Sequence, residues 1–489
     1  KKLWILEDLI REKSKNKSFD EKYIEFAEQI HKFNDERYNI KKKINLKYNS
    51  TLIEEKIYKD NPNIKSIIND ELTNEQLIND QLIITEIIDN ENLNEAKLAY
   101  TNGEYKKSYE ILNSLMEKLC DYEYYNNFYV DLIFAYENIT NIYNYKNKYY
   151  YKLDQIMEII DELDIMDELK EYCKSQYTTN CLNMLNYKKA FKYINIINHI
   201  TGPNVSYKNM SFFKKDDTNK TLLIYDGGGL GDKFMFSRFI PKLCNDYCNN
   251  KIIFFVNDNI AWIFNDIFKK YNNLNIVTYE LHYLMGPFDY HCSLMYLMKC
   301  FNIEYNNIYF EPLLENMKIE ITENNKSIIN DIKNNKNKTY IFNWKGNPKC
   351  GHEKSNRRMD LKHAIPLFNL KNITFIVVTK DVTPEEKRIL LENNVKYIGD
   401  QIDNNENCFQ DTIGIFKNVD GIISTDTSLV HLAANLNLNT YVMLTTGCEW
   451  RWTTDINTTN WYPSLNLLRQ KNQGNWESVI EELITQLNS

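Results

Sequence analysis

The sequence predicts an α + α/β chain: an N-terminal helical repeat region followed by two domains that each alternate parallel strands with helices. Three observations carry this. A Tyr-centred segment recurs at positions 105, 145 and 187, each copy flanked by apolar residues at helical spacing. After a polar junction the pattern switches to short β-branched runs separated by helical stretches. That alternation restarts once, after a charged, Asn-rich interval over 319–338.

A chain of 489 residues has room for two to four domains. Its net charge of −8 provides no overall basic field for nucleic acid or an anionic membrane surface. Ten cysteines are scattered without a Cys-x-x-Cys pair, which fits reduced thiols in an intracellular protein. Cys244 and Cys248 fall one helical turn apart, a spacing open to a metal or to a buried helix face. No apolar run approaches a membrane span, and no signal peptide opens the sequence, which starts without Met. A soluble, cytoplasmic protein is the expectation, with oligomerisation left open.

Residues 1–90 read as a charged, amphipathic helical extension carrying no chemistry, with Trp4, Ile5, Leu9 and Ile10 at helical spacing. From 91 to 202 the segment Gly103–Tyr109 is echoed at Asn144–Tyr149 and Asn186–Phe191. Units of this kind bury their apolar faces only by stacking, so protein contact is their expected role. They resemble tetratricopeptide repeats lengthened beyond the usual period, and an irregular helical bundle would leave a similar pattern. A polar junction, Thr201 to Asn219, ends the region.

The first α/β domain is expected over 219–318. Strand Thr221–Tyr225 leads into a glycine loop, Gly227–Gly231, and a helix, Lys233–Leu243; further strands are expected at Lys251–Val256 and Asn275–Tyr279. The loop is not a P-loop, which needs Gly-Lys-Ser/Thr where this chain has Asp232-Lys233-Phe234. Nor is it a dinucleotide fingerprint, since the third glycine position holds Phe234. What remains is backbone that a ligand can approach at Gly229 and Gly231, with Asp232 in the first helical turn, where an aspartate can also simply cap the helix.

The second domain is expected over 338–489, with strands Thr339–Trp344, Ile373–Thr379 and Lys396–Gly399 and a helix Thr412–Phe416. Asp411 and Thr412 would cap that helix. The decisive stretch is Gly421–Trp452. A buried strand opens it, Asp426-Thr427-Ser428 start a helix carrying His431, and strand Thr440–Leu444 closes a β-α-β unit. The free amides at that helix start lie where open parallel sheets bind ligands, and a diphosphate is the natural guest.

Six motifs in order resemble the heptosyltransferase-type glycosyltransferases of family 9, in the branch fused to tetratricopeptide repeats. They are GGGLGDKFMFSRF at Gly227–Phe239, FDYHCSLM at Phe288–Met295, NWKGNP at Asn343–Pro348, QDTIGIF at Gln410–Phe416, the Asp426–Trp452 stretch, and WYPSLNLLRQ at Trp461–Gln470. The resemblance covers Thr221 to the end of the chain. It implies two Rossmann-like domains facing a cleft, the GT-B arrangement, and inverting transfer of a sugar from a nucleotide-sugar donor to a glycan or protein hydroxyl. Asp232 would then be the general base, a task that burial toward neutrality would suit. His291 would be an acceptor-side hydrogen bonder or alternative base, although a core histidine is an equal reading.

Gly229, Gly231, Lys345, Asn347, Arg358, Asp426, Thr427, Ser428, His431 and Arg451 would hold the donor, with the cations countering charge on the departing diphosphate. Arg358 aligns with the family's arginine, but Met359 stands where a serine is usual. Arg451 lies between Trp450 and Trp452 and could clamp phosphate, stack on a base, or only pack. No Asp-x-Asp signature is present, so no metal and no cofactor beyond the donor are expected. Two other functions stay open: a non-catalytic scaffold, and a protein O-glycosyltransferase resembling O-GlcNAc transferase.

Overall fold

The computed structural model describes residues 89–102, 104–118, several isolated positions between 132 and 161, then 167–195, 209–225, 228–281, 286–348, 357–446, 448–453 and 457–488. The chain divides into compact units at 1–91 and 92–489. The helical extension expected over 1–90 lies almost wholly outside the described residues, as do the middle repeat echo at Asn144–Tyr149 and residues 201–208 of the junction.

Within the second unit two of the three echoes are described, and each opens a helix after a short turn. Tyr105 starts α1 (Tyr105–Lys118) and Tyr187 starts the single turn α3 (Tyr187–Ala190), which comes after α2 (Asp167–Asn183). The α2–α3 corner is sharp because Leu185 takes a left-handed φ of 57°. Asn186 then caps α3, its Oδ1 accepting the Lys189 N–H at 3.3 Å.

The rest of the second unit is organised on two parallel sheets, whose inner strands are apolar, β-branched runs buried on both faces. The first has the order β3-β2-β1-β4, with β1 Thr221–Tyr225, β2 Lys251–Val256, β3 Leu274–Thr278 and β4 Tyr290–Ser293. Edge strand β4 escapes the sequence pattern because it has only four residues and pairs on one side, with Leu223 opposite His291. The expected long helix after the glycine loop is two helices, α4 (Leu230–Phe236) and α5 (Phe239–Asp246). At the break Ser237 Oγ donates to the Phe234 carbonyl and Arg238 Nε to the Met235 carbonyl, so side chains take acceptors that a continuous helix would use. Cys244 is buried on α5 and Cys248 exposed beyond it. Helix α6 (Asp258–Phe268) connects β2 to β3.

The second sheet has the order β10-β9-β8-β5-β6-β7. Its strands are β5 Lys338–Asn343, β6 Ile373–Val377, β7 Lys396–Tyr397, β8 Gly421–Thr425, β9 Thr440–Leu444 and β10 Leu465–Arg469. The helices that position its site are α7 (Glu323–Asn334), α8 (Pro384–Glu392), α9 (Gln410–Phe416) and α10 (Ser428–Asn435), with α11 (Trp476–Asn488) ending the chain. Strand order reverses between β5 and β8, which makes their carboxyl ends the switch point where ligands of open α/β sheets sit. In the first sheet it reverses at β1, the strand that feeds the glycine loop.

Candidate functional site

The two switch points meet through α4 and α10. A Cβ built on Gly231 would stand 2.7 Å from His431 Cδ2, so only a residue without a side chain allows this approach. Three residues on, Asn435 Nδ2 donates to the Phe234 carbonyl at 3.1 Å. Because 231 meets 431 and 234 meets 435, the helices run side by side in the same direction and present both amino ends on one side. The positive ends of two helix dipoles therefore share one place.

Asp232 lies at this mouth. Its Oδ2 accepts the Gly229 N–H at 2.9 Å, so it does cap α4. Its Oδ1 takes a hydrogen bond from Arg451 Nη2, across from the second domain. The carboxylate is partly buried and ion-paired. Gly228 leaves room for this arrangement, since a Cβ there would collide with the Asp232 carboxylate, whereas one on Gly229 would meet it at an ordinary 3.9 Å.

Arg451 belongs to a single 3-10 turn, Trp450–Trp452. Its guanidinium lies 4.7 Å from the Trp450 ring centroid and donates to Glu449 at 2.7 Å as well as to Asp232. Burial works against its charge, but Asp232, Glu449 and Asp426 outweigh that and raise its pKa. Its buried Nε has no hydrogen-bond partner among the described residues. Arg451 thus grips the carboxylate of the glycine-loop helix, a role that its flanking tryptophans do not announce.

Asp426, Thr427 and Ser428 form the β8–α10 corner. Thr427 is the N-cap by backbone geometry, yet its side chain makes no capping bond to the helix. Its Oγ1 instead meets Ser424 Oγ at 3.1 Å and Asn343 Nδ2 at 3.4 Å. Asn343 also bonds Ser424 at 3.0 Å and accepts from Thr379 Oγ1 at 2.7 Å. This buried polar group ties the ends of β5, β6 and β8 together beneath the helix start, which no side chain caps. Burial pushes the Asp426 carboxyl up, Arg357 opposing it and Glu449 adding to it. His431 is held well below the usual imidazole range, first by burial and then by Arg451, Arg238 and Arg357. It is therefore neutral, with Nδ1 2.8 Å from the Tyr462 hydroxyl and its ring tilted on Trp452 at 5.3 Å.

The other expected residues make separate contacts. Lys345 is buried and donates to Glu386 Oε2 at 2.7 Å and to the Asp381 carbonyl at 2.9 Å. Glu386 also accepts from Arg358 at 2.9 Å, Trp344 Nε1 at 3.2 Å and the Thr383 N–H at 2.8 Å. Burial alone would raise its pKa; Lys345 and the Thr383 amide overcome that and hold it at about 2. Both cations are thus already tied to an acid that the sequence reading did not single out. Its one signal was the capping box Thr383-x-x-Glu386. Asn347 is exposed in the loop after β5.

His291 lies on the β4 edge with its ring 6.0 Å from both Tyr225 and Phe288, and burial lowers its pKa. Its Nδ1 is buried with no hydrogen-bond partner among the described residues.

Asp411 and Thr412 do not cap α9. Asp403 does, its Oδ1 accepting the Asp411 N–H at 2.8 Å and the Thr412 N–H at 3.3 Å. Asp411 instead accepts from Thr322 Oγ1 at 2.9 Å and Asn325 Nδ2 at 2.6 Å, anchoring α7. The cap is supplied by Asp403 because Phe409 at the N-cap position is left-handed and offers no acceptor side chain.

Among the described residues no group of three or more His, Cys, Asp or Glu is placed to hold a metal ion, and no helix is long and apolar enough to cross a membrane.

No protein-family model matches the chain, and no curated protein does. Solved structures give a loose likeness. The glycosyl transferase family 9 protein from Veillonella parvula is 12% identical at a TM-score of 0.36, over 55% of this chain and 97% of that one. Escherichia coli ADP-heptose lps heptosyltransferase II is 12% identical at 0.37, over 55% of this chain and all of that one (100%). E. coli heptosyltransferase WaaC, solved with ADP-2-deoxy-2-fluoro heptose, is 11% identical at 0.33, with the same coverage of 55% and 100%.

Proposed function

We propose that the chain is a nucleotide-sugar glycosyltransferase of GT-B architecture, transferring a sugar with inversion to a glycan or protein hydroxyl. One observation carries the reading: Asp232, at the amino end of α4, is clamped by Arg451 beside the amino end of α10. A carboxylate, a guanidinium and two helix starts in one place suit a displacement that makes an anion. Asp232 takes the proton of the acceptor hydroxyl as that oxygen bonds to the anomeric carbon. The bond from that carbon to the diphosphate oxygen breaks, and the diphosphate keeps the electron pair. The α10 amides with Ser428 and Thr427, and the guanidinium of Arg451, meet the charge that develops. Neutral His431 serves as a hydrogen-bonding or packing group, not as a cation.

Lys345 and Arg358 support the donor loop after β5 through Glu386, and Asn347 lies on that loop within reach of solvent. His291 is kept as an acceptor-side group on β4. The helical region would serve as a protein-contact surface with tetratricopeptide character. No metal is required in this scheme, because protein amides and Arg451 face the leaving group.

The test is a panel of nucleotide sugars, including ADP-heptose and UDP-N-acetylglucosamine, read by thermal shift and by release of nucleoside diphosphate. A donor at one hundred times its Kd stabilises the folded chain by about 2.7 kcal/mol. Binding without turnover on any acceptor would favour the scaffold, and a chain indifferent to every sugar nucleotide would end the proposal.

A further inference from the structure

Tyr187 lies far from Asp232 in sequence but is built into the support of the Arg451 turn. It is fully buried although it opens a helix in the N-terminal helical region. Its ring stands edge-on to Trp450 at 5.9 Å and 89°, and lies nearly parallel to Trp461 at 6.3 Å and 26°. The Tyr187 hydroxyl accepts the Trp461 indole N–H at 3.2 Å. A second edge contact, at 6.3 Å, reaches Tyr305 in the segment that links the two sheets. The Tyr305 hydroxyl and carbonyl in turn accept from the Asn460 N–H at 3.1 Å and its Nδ2 at 2.9 Å. Phe236, at the end of α4, stacks on Trp450 at 6.3 Å and meets Trp461 edge-on at 6.0 Å. One ring of the helical region thus wedges a cluster contributed by both sheet domains.

We infer that Tyr187 is a positioning residue for the transfer reaction, holding Trp450 so that the adjacent Arg451 keeps Asp232 aimed across the crevice. The inference rests on the function proposed above. The energetic logic is that of a supported catalytic group. A three-residue turn has little structure of its own, so the direction of Arg451 is set by what packs behind Trp450. That packing is aromatic and directional, and its removal leaves a void beside a buried guanidinium. The α2–α3 corner, with its left-handed Leu185 and Asn186 cap, fixes where the ring emerges. The helical region is then a part of the catalytic apparatus and not solely a surface for partners.

The experiment compares the full chain with Tyr187→Leu and Tyr187→Phe. Active sites are titrated by calorimetry with ADP and with UDP, and kcat is expressed per titrated site. Tyr187→Leu should lower kcat at least about tenfold while the Kd of the bound nucleotide changes less than about threefold. Tyr187→Phe, which keeps the ring, should recover most of the rate. A variant with fewer titrated sites but normal kcat per site would show a role in folding alone and overturn the inference.

Hydrogen–deuterium exchange over residues 448–453 gives a second readout that needs no substrate. Exchange there should accelerate in Tyr187→Leu relative to strands β8 and β9, and unchanged protection would overturn the inference. Failure of the wild type to turn over any sugar nucleotide counts against the proposed function instead, and leaves the exchange result to decide the role of Tyr187.

Discussion

Gly231→Ala tests the contact that brings the two halves of the site together. The added methyl would sit 2.7 Å from His431 Cδ2 and 3.1 Å from Nε2. Carbon atoms rest at about 3.5–4.0 Å, so roughly 1 Å must be opened between α4 and α10. His431 cannot swing away cheaply, because Tyr462 holds its Nδ1 and Trp452 lies against its ring. Overpacking of this kind costs about 1–3 kcal/mol, and replacing a helical glycine returns about 0.5–1. The expected net loss is about 0–2.5 kcal/mol, read from urea unfolding by tryptophan fluorescence. The same shift moves the α10 amides away from Asp232, so turnover should fall by more than tenfold.

The double-mutant cycle decides the cause. In a His431→Ala background the ring is gone, and Gly231→Ala should become neutral or slightly stabilising, a coupling of about 1–3 kcal/mol. An equal cost in both backgrounds would refute the argument that α4 and α10 meet at these two residues.

Asp232→Ala should abolish transfer, by about 10²–10⁴ in kcat, while leaving nucleoside diphosphate binding within a few-fold; comparable losses in both would remove Asp232 from the role of base. Arg451→Lys keeps a charge but cannot hold Glu449 and Asp232 with one planar fork, so kcat should drop with little change in thermal midpoint. Glu386→Gln strands the buried Lys345 ammonium and should cost about 3–5 kcal/mol of stability. Glu386 is held at about 2 from an ordinary 4.5. Its folded-state pKa is the lower one, so the stabilisation, on the order of 3 kcal/mol, is whole above pH 4.5 and drains away toward pH 2. Acid titration of unfolding should show that loss in the wild type and a flatter profile in Glu386→Gln.

Much of the architecture was legible because parallel strands buried on both faces must be short apolar runs. Strands β1, β2 and β9 begin and end where the runs do. The β8–α10 unit was readable for a second reason: Asp426-Thr427-Ser428 are residue types that favour a helix start, and the apolar residues after them recur at helical spacing. The glycine loop was readable by elimination, since the residues that would make it a P-loop or a dinucleotide site are absent. Strand β4 was missed because four residues on a sheet edge leave no period. The split of α4 from α5 was missed because it comes from side-chain bonds of Ser237 and Arg238, which propensity does not register.

By itself, then, the sequence determined where most strands and helices of the two sheet domains lie, because that property is local and set by neighbours a few residues away. Only the tertiary structure decided which loops face one another. That Arg451 grips Asp232, that Glu386 neutralises Lys345, that Asp403 rather than Asp411 caps α9, and that Tyr187 backs Trp450 are all contacts between residues distant along the chain, apart from the cap. Even Asp403 reaches its helix around a left-handed turn at Phe409. The physical reason is common to all of them: a charged or aromatic side chain can satisfy its surroundings in several ways, and the partner it takes is chosen by packing.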